Sequence, residues 1–289
     1  MRLAIGTAQF GAPYGIANKN GRVDAREVGK ILESAYSYGI DTLDTAVLYG
    51  ESERVLGDAG VHGFKVVSKL PEVPEGCAEI STWINREVIN SLERLKISQL
   101  YALLLHVPSQ LKTFVRDSLI LGLDRCQSEG LIHKIGISVY EPEDLDIYLN
   151  LMNVEIVQIP LNLLDQRFIS SGSLNKLQLS NIEVHARSAF LQGLLLMNLE
   201  DQIKLFPFWE KTWVYWHQWL QQEGISALQA CLLFASSIQG VTRTVVGVDS
   251  HQQLREILAF ENQILRSVPN WPQTISKNLI NPSLWTALQ

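Results

Sequence analysis

The chain has few cysteines, few charges and none of the short motifs that mark a metal centre or a phosphate loop, and each shortage removes a class of protein. Cys77, Cys126 and Cys231 are its three cysteines. They are odd in number, far apart and form no C-x-x-C pair, which argues against a disulfide framework or a zinc site and for reduced, structural thiols. Charged residues make up only 19% of the 289, the formal net charge is −6, and no run of five or more Lys or Arg occurs. A nucleic-acid surface needs clustered basic residues against the phosphates, so no nucleic-acid partner is expected. No stretch comes near the roughly 18 uninterrupted apolar residues of a membrane-spanning helix. The opening Met-Arg-Leu-Ala-Ile-Gly has no apolar segment of signal-peptide length. The expectation is a cytoplasmic protein with no membrane partner. No G-x-G-x-x-G occurs either, so an open doubly wound sheet, the competing α/β architecture, lacks its dinucleotide turn.

What is present is apolar and periodic. Hydrophobic residues are 46% of the chain, enough for a large core. Short apolar runs predict strands over residues 3–8, 42–46, 64–68, 102–106, 134–138, 156–159, 182–186 and 244–248. Most are continuous rather than alternating, the pattern of parallel strands covered on both faces. Amphipathic stretches predict helices over 25–38, 80–95, 109–128, 142–149, 209–222, 226–236 and 250–260. In the first, Val28, Ile31, Leu32 and Ala35 share a face and Gly39 ends it. Pro142 suits a first helical turn and Ser250 an N-cap. Alternating strands and helices without an internal linker predict an α/β fold, a single-domain (β/α)8 TIM barrel over residues 1–265. Residues 266–289 carry three prolines and no periodicity, and are expected to pack as a tail over the barrel rim. Trp209, Trp213 and Trp216 share a helical face, which predicts core or interface packing.

Active sites of this architecture are built at the C-terminal ends of the strands. Four polar residues fall there: Asp44 closing the second strand, Tyr49 in the loop after it, Lys69 closing the third and His106 closing the fourth. Each alone has an ordinary reading as a turn residue, a packing ring, a solvated cation or a hydrogen-bonded rim residue. Together, on one rim of three adjacent strands, they match the needs of carbonyl reduction. Hydride addition leaves negative charge on the carbonyl oxygen, which then needs a proton. A phenol with its usual pKa of about 10 is a poor donor near neutrality, and an adjacent ammonium favours the phenolate. In this reading Tyr49 donates the proton and Lys69 tunes it. Asp44 neutralises Lys69, while His106 orients the carbonyl and hydrogen-bonds the developing oxyanion.

The same residues carry a family resemblance. Gly39-Ile-Asp-Thr-Leu-Asp-Thr-Ala-Val-Leu-Tyr-Gly-Glu-Ser-Glu53 resembles the hallmark segment of the aldo-keto reductases. Asp44, Tyr49, Lys69 and His106 match that family's tetrad in order, and similar sequence continues from Gly6-Thr-Ala to Val246-Gly-Val-Asp-Ser-His-Gln-Gln-Leu254. The resemblance implies reversible, NAD(P)H-dependent hydride transfer to an aldehyde or ketone of a small molecule. It implies NADP(H), with NAD(H) as the other candidate, lying extended across the barrel mouth. By position it puts Gly6, Thr7, Ala8 and Asp44 beside the cofactor, and Ser138 and Gln158 on the carboxamide. Arg187 takes the place of the residue stacked on the nicotinamide ring. Ser188, Phe190, Gln192 and Gly193 would follow the pyrophosphate, and Gly247, Ser250 and Gln253 would lie toward the adenosine.

The chain departs from the family pattern at three positions. Val139 follows Ser138 where many members have Asn, and Ile257 replaces an amide residue at the adenine. Asp249 stands where NADP-specific members carry Arg or Lys. A carboxylate there repels a 2′-phosphate, although Ser250 at a helix N-terminus could receive an anion and Arg255 is close in sequence. A weakened NADPH preference, or use of both cofactors, is the expectation. Tyr14, Tyr49 and His106 are expected to touch substrate, with Asn18 in the same Gly-rich loop as Tyr14. That loop is similar to a bacterial branch tied to sugar and surface-polysaccharide metabolism, implying a sugar-like substrate. Two readings compete: a cofactor-binding redox-sensing subunit with little turnover, and a barrel lyase using Lys69 as a Schiff base. The latter leaves Asp44, Tyr49 and His106 without matched tasks. A monomer or small homo-oligomer is expected.

Overall fold

Burial on both faces is what the continuous apolar runs require, and a closed barrel supplies it. The computed structural model describes residues 2–260, 263–271 and 275–287. Its strands are β1 Leu3–Gly6, β2 Thr42–Asp44, β3 Lys65–Leu70, β4 Leu100–Leu105, β5 Ile132–Ser138, β6 Ile156–Pro160, β7 Glu183–Arg187 and β8 Arg243–Gly247. They pair in sequence order, all parallel, and β8 returns to β1. This is the single-domain (β/α)8 barrel read from the sequence, and closure leaves no sheet edge exposed. Inside, Val67, Ala102, Leu104 and Ile156 form a small apolar plug; outside, one large core joins the barrel to its helices.

The helix Ile80–Leu95 has the bounds its periodicity predicts, and the first is capped by Asp24, whose side chain accepts from the backbone N–H of Arg26. The run expected over 109–128 is divided into a 3-10 turn, Pro108–Lys112, and a helix, Arg116–Ser128. Thr113, extended at φ −117° and ψ 177°, separates them. Helices Ser52–Ala59, Ser173–Leu179 and Leu199–Leu205 were not expected. Trp213 and Trp216 are fully buried, and their indoles donate to the carbonyl oxygens of Phe206 and Leu195 at 3.1 Å each, so they are core residues.

The N-terminal end of the barrel is closed by charge. Glu183 accepts from Lys134 Nζ at 2.6 Å and Tyr101 Oη at 2.7 Å, and its other oxygen is 2.9 Å from His185 Nε2. Asp41 pairs with Lys65 at 3.0 Å and Arg243 at 3.1 Å. Of the C-terminal stretch 266–289, residues 272–274, 288 and 289 lie outside the described residues. The remainder makes side-chain contacts to the barrel domain: Trp271 Nε1 donates to the Leu163 carbonyl at 2.9 Å, Lys277 pairs with Glu141 at 2.7 Å, and the buried Trp285 ring packs on Phe206.

Candidate active site

The C-terminal face of the barrel opens into a cavity of about 750 Å³. Asp44, Lys69, His106, Ser138, Gln158 and Arg187 bring it side chains from the ends of β2 to β7, and Tyr49 enters from the loop after β2. Lys69 is 1% exposed; its Nζ donates to Asp44 Oδ2 and to the Thr45 carbonyl, both at 2.7 Å. The other Asp44 oxygen accepts from Gln158 Nε2 at 2.6 Å. An unpaired charge this deep would be costly, so the pair forms a closed unit. Lys69 Nζ lies 4.9 Å from the centre of the Tyr49 ring, and the His106 ring meets that ring edge-on at 6.0 Å and 81°. Tyr14 packs 6.5 Å away on the same ring.

Burial tends to neutralise Lys69, but Asp44 and Tyr49 outweigh it and the ammonium is held above its ordinary pKa. His106 moves the other way. Burial first, then the charges of Lys69 and Arg187, push it down to about 4, so the imidazole is neutral near pH 7. Its Nδ1 is buried without a partner.

Tyr49 is placed by its backbone. Its N–H donates to Ala46 and its carbonyl accepts from Ser52, while Gly11 lies directly against it. A Cβ on Gly11 would sit 1.6 Å from the Tyr49 carbonyl oxygen, an overlap no side chain could relieve. Beneath this contact Ser52 Oγ donates toward Thr7, 2.8 Å from its hydroxyl and 2.9 Å from its carbonyl oxygen. Thr7 Oγ1 in turn donates to the Asp44 carbonyl at 2.9 Å. Loop and strand end are thereby tied together.

The remaining candidates divide by position. Gly6, Thr7, Ala8, Ser188, Phe190, Gln192, Gly193, Gly247 and Gln253 line the same cavity. Ser250 is not among the lining residues; its hydroxyl caps the following helix by accepting from the Gln253 N–H at 3.2 Å. Asn18 uses its amide within its own loop, donating to the Tyr14 and Gly21 carbonyls. Arg255 is exposed and lines no part of the cavity, whereas Asp249, Glu256 and the buried Ile257 do. Burial raises the Asp249 carboxyl above its usual range, against the Gln253 hydrogen bond that lowers it, and its Oδ1 has no partner.

Sequence reasoning passed over Gln9, Tyr140 and Asn162. Gln9 packs against Gly247, and Tyr140 stacks on the Arg187 guanidinium at 4.1 Å. Asn162 Nδ2 donates to the Ser188 carbonyl at 3.0 Å, pinning a loop in which Ser188, Leu191 and Gln192 have φ of 61°, 49° and 53°. Asn162 could have been flagged as an Asx-turn residue; nothing in the spacing marks the other two.

A nicotinamide dinucleotide fits the residues present. Gln158 Oε1, opposite the amide nitrogen on Asp44, is buried without a partner and is free to accept from a carboxamide. The backbone at 188–193, left-handed at Ser188, Leu191, Gln192 and Gly193, is the kind of strained, turning segment that cradles anions. Among the described residues no cluster of His, Cys, Asp or Glu could hold a metal, and no helix is long and apolar enough to cross a membrane.

Comparison with known proteins bears on the fold and the family. The oxidoreductase YqkF of Bacillus subtilis is 30% identical over 183 residues, an alignment covering 60% of this chain and 58% of that protein's length. A glycerol dehydrogenase from Gluconobacter oxydans superposes with a TM-score of 0.72 at 24% identity, covering 91% of this chain and 87% of that one. An aldo-keto reductase from Bacillus halodurans, solved in its holo form, gives 0.68 at 20% identity, covering 91% and 88%. These two likenesses speak for the fold. The model of the aldo/keto reductase family matches residues 2–267, and the chain therefore belongs to that family.

Proposed function

We propose that this protein reduces the carbonyl of a small aldehyde or ketone, reversibly, with Tyr49 as the proton donor. The observation that carries the reading is the buried Asp44–Lys69 pair beneath the Tyr49 ring, with His106 at the ring's edge. A bound nicotinamide cofactor supplies the hydride. Tyr49 protonates the oxygen on which charge develops, and the Lys69 ammonium stabilises the negative charge left on the phenol. His106, neutral at pH 7, donates a hydrogen bond to the same oxygen without adding a charge. Asp44 keeps Lys69 charged, the opposite of what an imine-forming lysine needs, and this speaks against the Schiff-base reading.

In this reading Ser138 and Gln158 hold the carboxamide, the 188–193 loop holds the diphosphate, and Asp249, Gln253 and Ile257 face the adenosine. Gly6, Thr7 and Ala8 line the cavity, Tyr14 borders the substrate, and Pro282 and Ser283 bring the C-terminal stretch to its rim. The helix after β8 gives the cavity no cation, and the unpartnered Asp249 Oδ1 is suited to ribose hydroxyls and opposed to a 2′-phosphate. NADH should therefore bind at least comparably to NADPH; a hundredfold tighter NADPH dissociation constant would refute that part.

The central test is Tyr49→Phe assayed with reduced cofactor and a panel of aldehydes, ketoses and keto-sugars. Turnover should fall on the order of 10²-fold or more with cofactor affinity unchanged, the scale of a lost general acid. Retained turnover in the variant overturns the proposal. Wild-type protein that holds cofactor but reduces no member of the panel would favour the redox-sensing alternative.

A further inference from the structure

Three cations line the cavity, and they differ in one respect. Lys69 has Asp44 at 2.7 Å and Lys19 has Asp201 at 3.8 Å, but Arg187 has no carboxylate partner among the described residues. Its guanidinium is nevertheless fixed. Nη2 donates to the Val139 carbonyl at 3.1 Å, Nη1 donates to Ser188 Oγ at 3.3 Å, and Cζ lies 4.1 Å from the centre of the Tyr140 ring. Its charge reaches the reaction centre, since it helps hold His106 neutral.

A hydride donor must come into contact with the carbonyl carbon that Tyr49 and His106 hold. The floor beside those two residues is built by Ser138, Gln158 and Arg187, at the ends of the neighbouring strands β5, β6 and β7. A nicotinamide ring resting there is neutral when reduced and carries a unit positive charge when oxidised, while the phosphates carry the same charge in both states. We infer that Arg187 makes the site discriminate between the redox states of its cofactor, retaining the reduced form and expelling the oxidised one. The inference rests on the carbonyl-reductase reading.

The balance of the step is simple. A hydride joins the carbonyl carbon, the C=O π pair moves to oxygen, and that oxygen takes the Tyr49 proton. Arg187 then faces a cationic ring. At an effective dielectric of about 20, repulsion between two unit charges exceeds a tenfold ratio at any separation below about 10 Å. The hydride step is made less favourable within the site than in solution, and release of the spent cofactor is made easier.

The test measures equilibrium dissociation constants for NADH, NAD+, NADPH and NADP+, by fluorescence of the reduced ring and by displacement. It uses wild-type protein, Arg187→Met and Arg187→Lys. Wild type should bind the reduced form of its preferred cofactor at least about tenfold more tightly than the oxidised form. Arg187→Met should narrow the ratio to about threefold or less, chiefly by tightening the oxidised form, and Arg187→Lys should preserve it. An unchanged ratio in Arg187→Met overturns the inference. So does equal weakening of both forms, which would assign Arg187 to the phosphates. These constants need no turnover, so a wild-type protein that reduces no carbonyl would sink the reductase reading while leaving the role of Arg187 to be decided by the ratio.

Discussion

The two ends of the barrel use charge in opposite ways. At the N-terminal end Lys65 and Arg243 share Asp41, and Lys134 has Glu183, so each of these cations has a carboxylate. Among the described residues that line the C-terminal cavity the tight pair is Asp44 with Lys69; His106 Nδ1, Gln158 Oε1 and Asp249 Oδ1 have no hydrogen-bond partner there, and Arg187 has no carboxylate. The lower network has its own unpartnered atom, His185 Nδ1, but His185 is fully buried and does not line the cavity. Burying polar groups costs free energy unless they are paired. One end of the same fold meets that requirement internally and gains rigidity. The other leaves it unmet around a cavity, where a ligand can meet it.

Three substitutions or titrations set this contrast against measurement. The largest effect should come from Lys69→Met, which strands the Asp44 carboxylate in a closed site. Loss of about 3–5 kcal/mol in denaturant unfolding is expected, together with loss of turnover; full stability in the variant would mean the pair is not an obligate unit. Glu183→Gln should cost about 1–3 kcal/mol, by leaving Lys134 without its carboxylate. Its kcat should stay within about twofold of wild type, and a larger drop would couple the two ends.

The smallest effect is a difference in pH windows. His106 titrates at about 4 in the folded protein against 6.5 for the free group, so the unfolded chain takes up the proton first. Stability therefore falls as pH drops from about 6.5 toward 4, by about 1–2 kcal/mol for a half-buried ring. Asp41, lowered to about 2 against desolvation by its bonds to Thr42, Lys65 and Arg243, acts in the same direction but in a more acidic window. Its contribution is present above the unfolded carboxylate range and is lost as pH falls below about 4 toward 2. Thermal midpoints against pH should show both limbs in wild type. His106→Asn should flatten the upper limb alone, and an unchanged upper limb would remove His106 as its source.

Strand order and the meeting of Asp44, Tyr49, Lys69 and His106 at one cavity were legible because each depends on a local signal: an uninterrupted apolar run, or a polar residue at or just past its end. The helix Ser52–Ala59 was hidden because its inward face is Ser52, Glu53, Leu56 and Gly57. Glu53 is buried there by bonds to Ser68, Ser91 and Arg94, and a polar interior of this kind leaves no periodic trace. The C-terminal stretch looked shapeless for a related reason, since its described residues include isolated anchors such as Trp271 and Trp285, which leave no periodic pattern. Left-handed Leu191 and Gln192 could not be foreseen, because only glycine announces that conformation. Arg187 was assigned by position, but its lack of a carboxylate partner among the described residues is a property of the fold.

The close approach of Gly11 to the Tyr49 carbonyl bears on how any mutational scan of this protein would read. Gly11 carries no side chain and meets no reactant, yet any larger residue must push the Tyr49 backbone out of register with the hydroxyl relay of Ser52 and Thr7. A screen scored on activity alone would rank Gly11 beside Tyr49 and invite a search for chemistry it does not have. Scoring abundance in parallel would separate the two positions, since one shapes the mould and the other is cast in it.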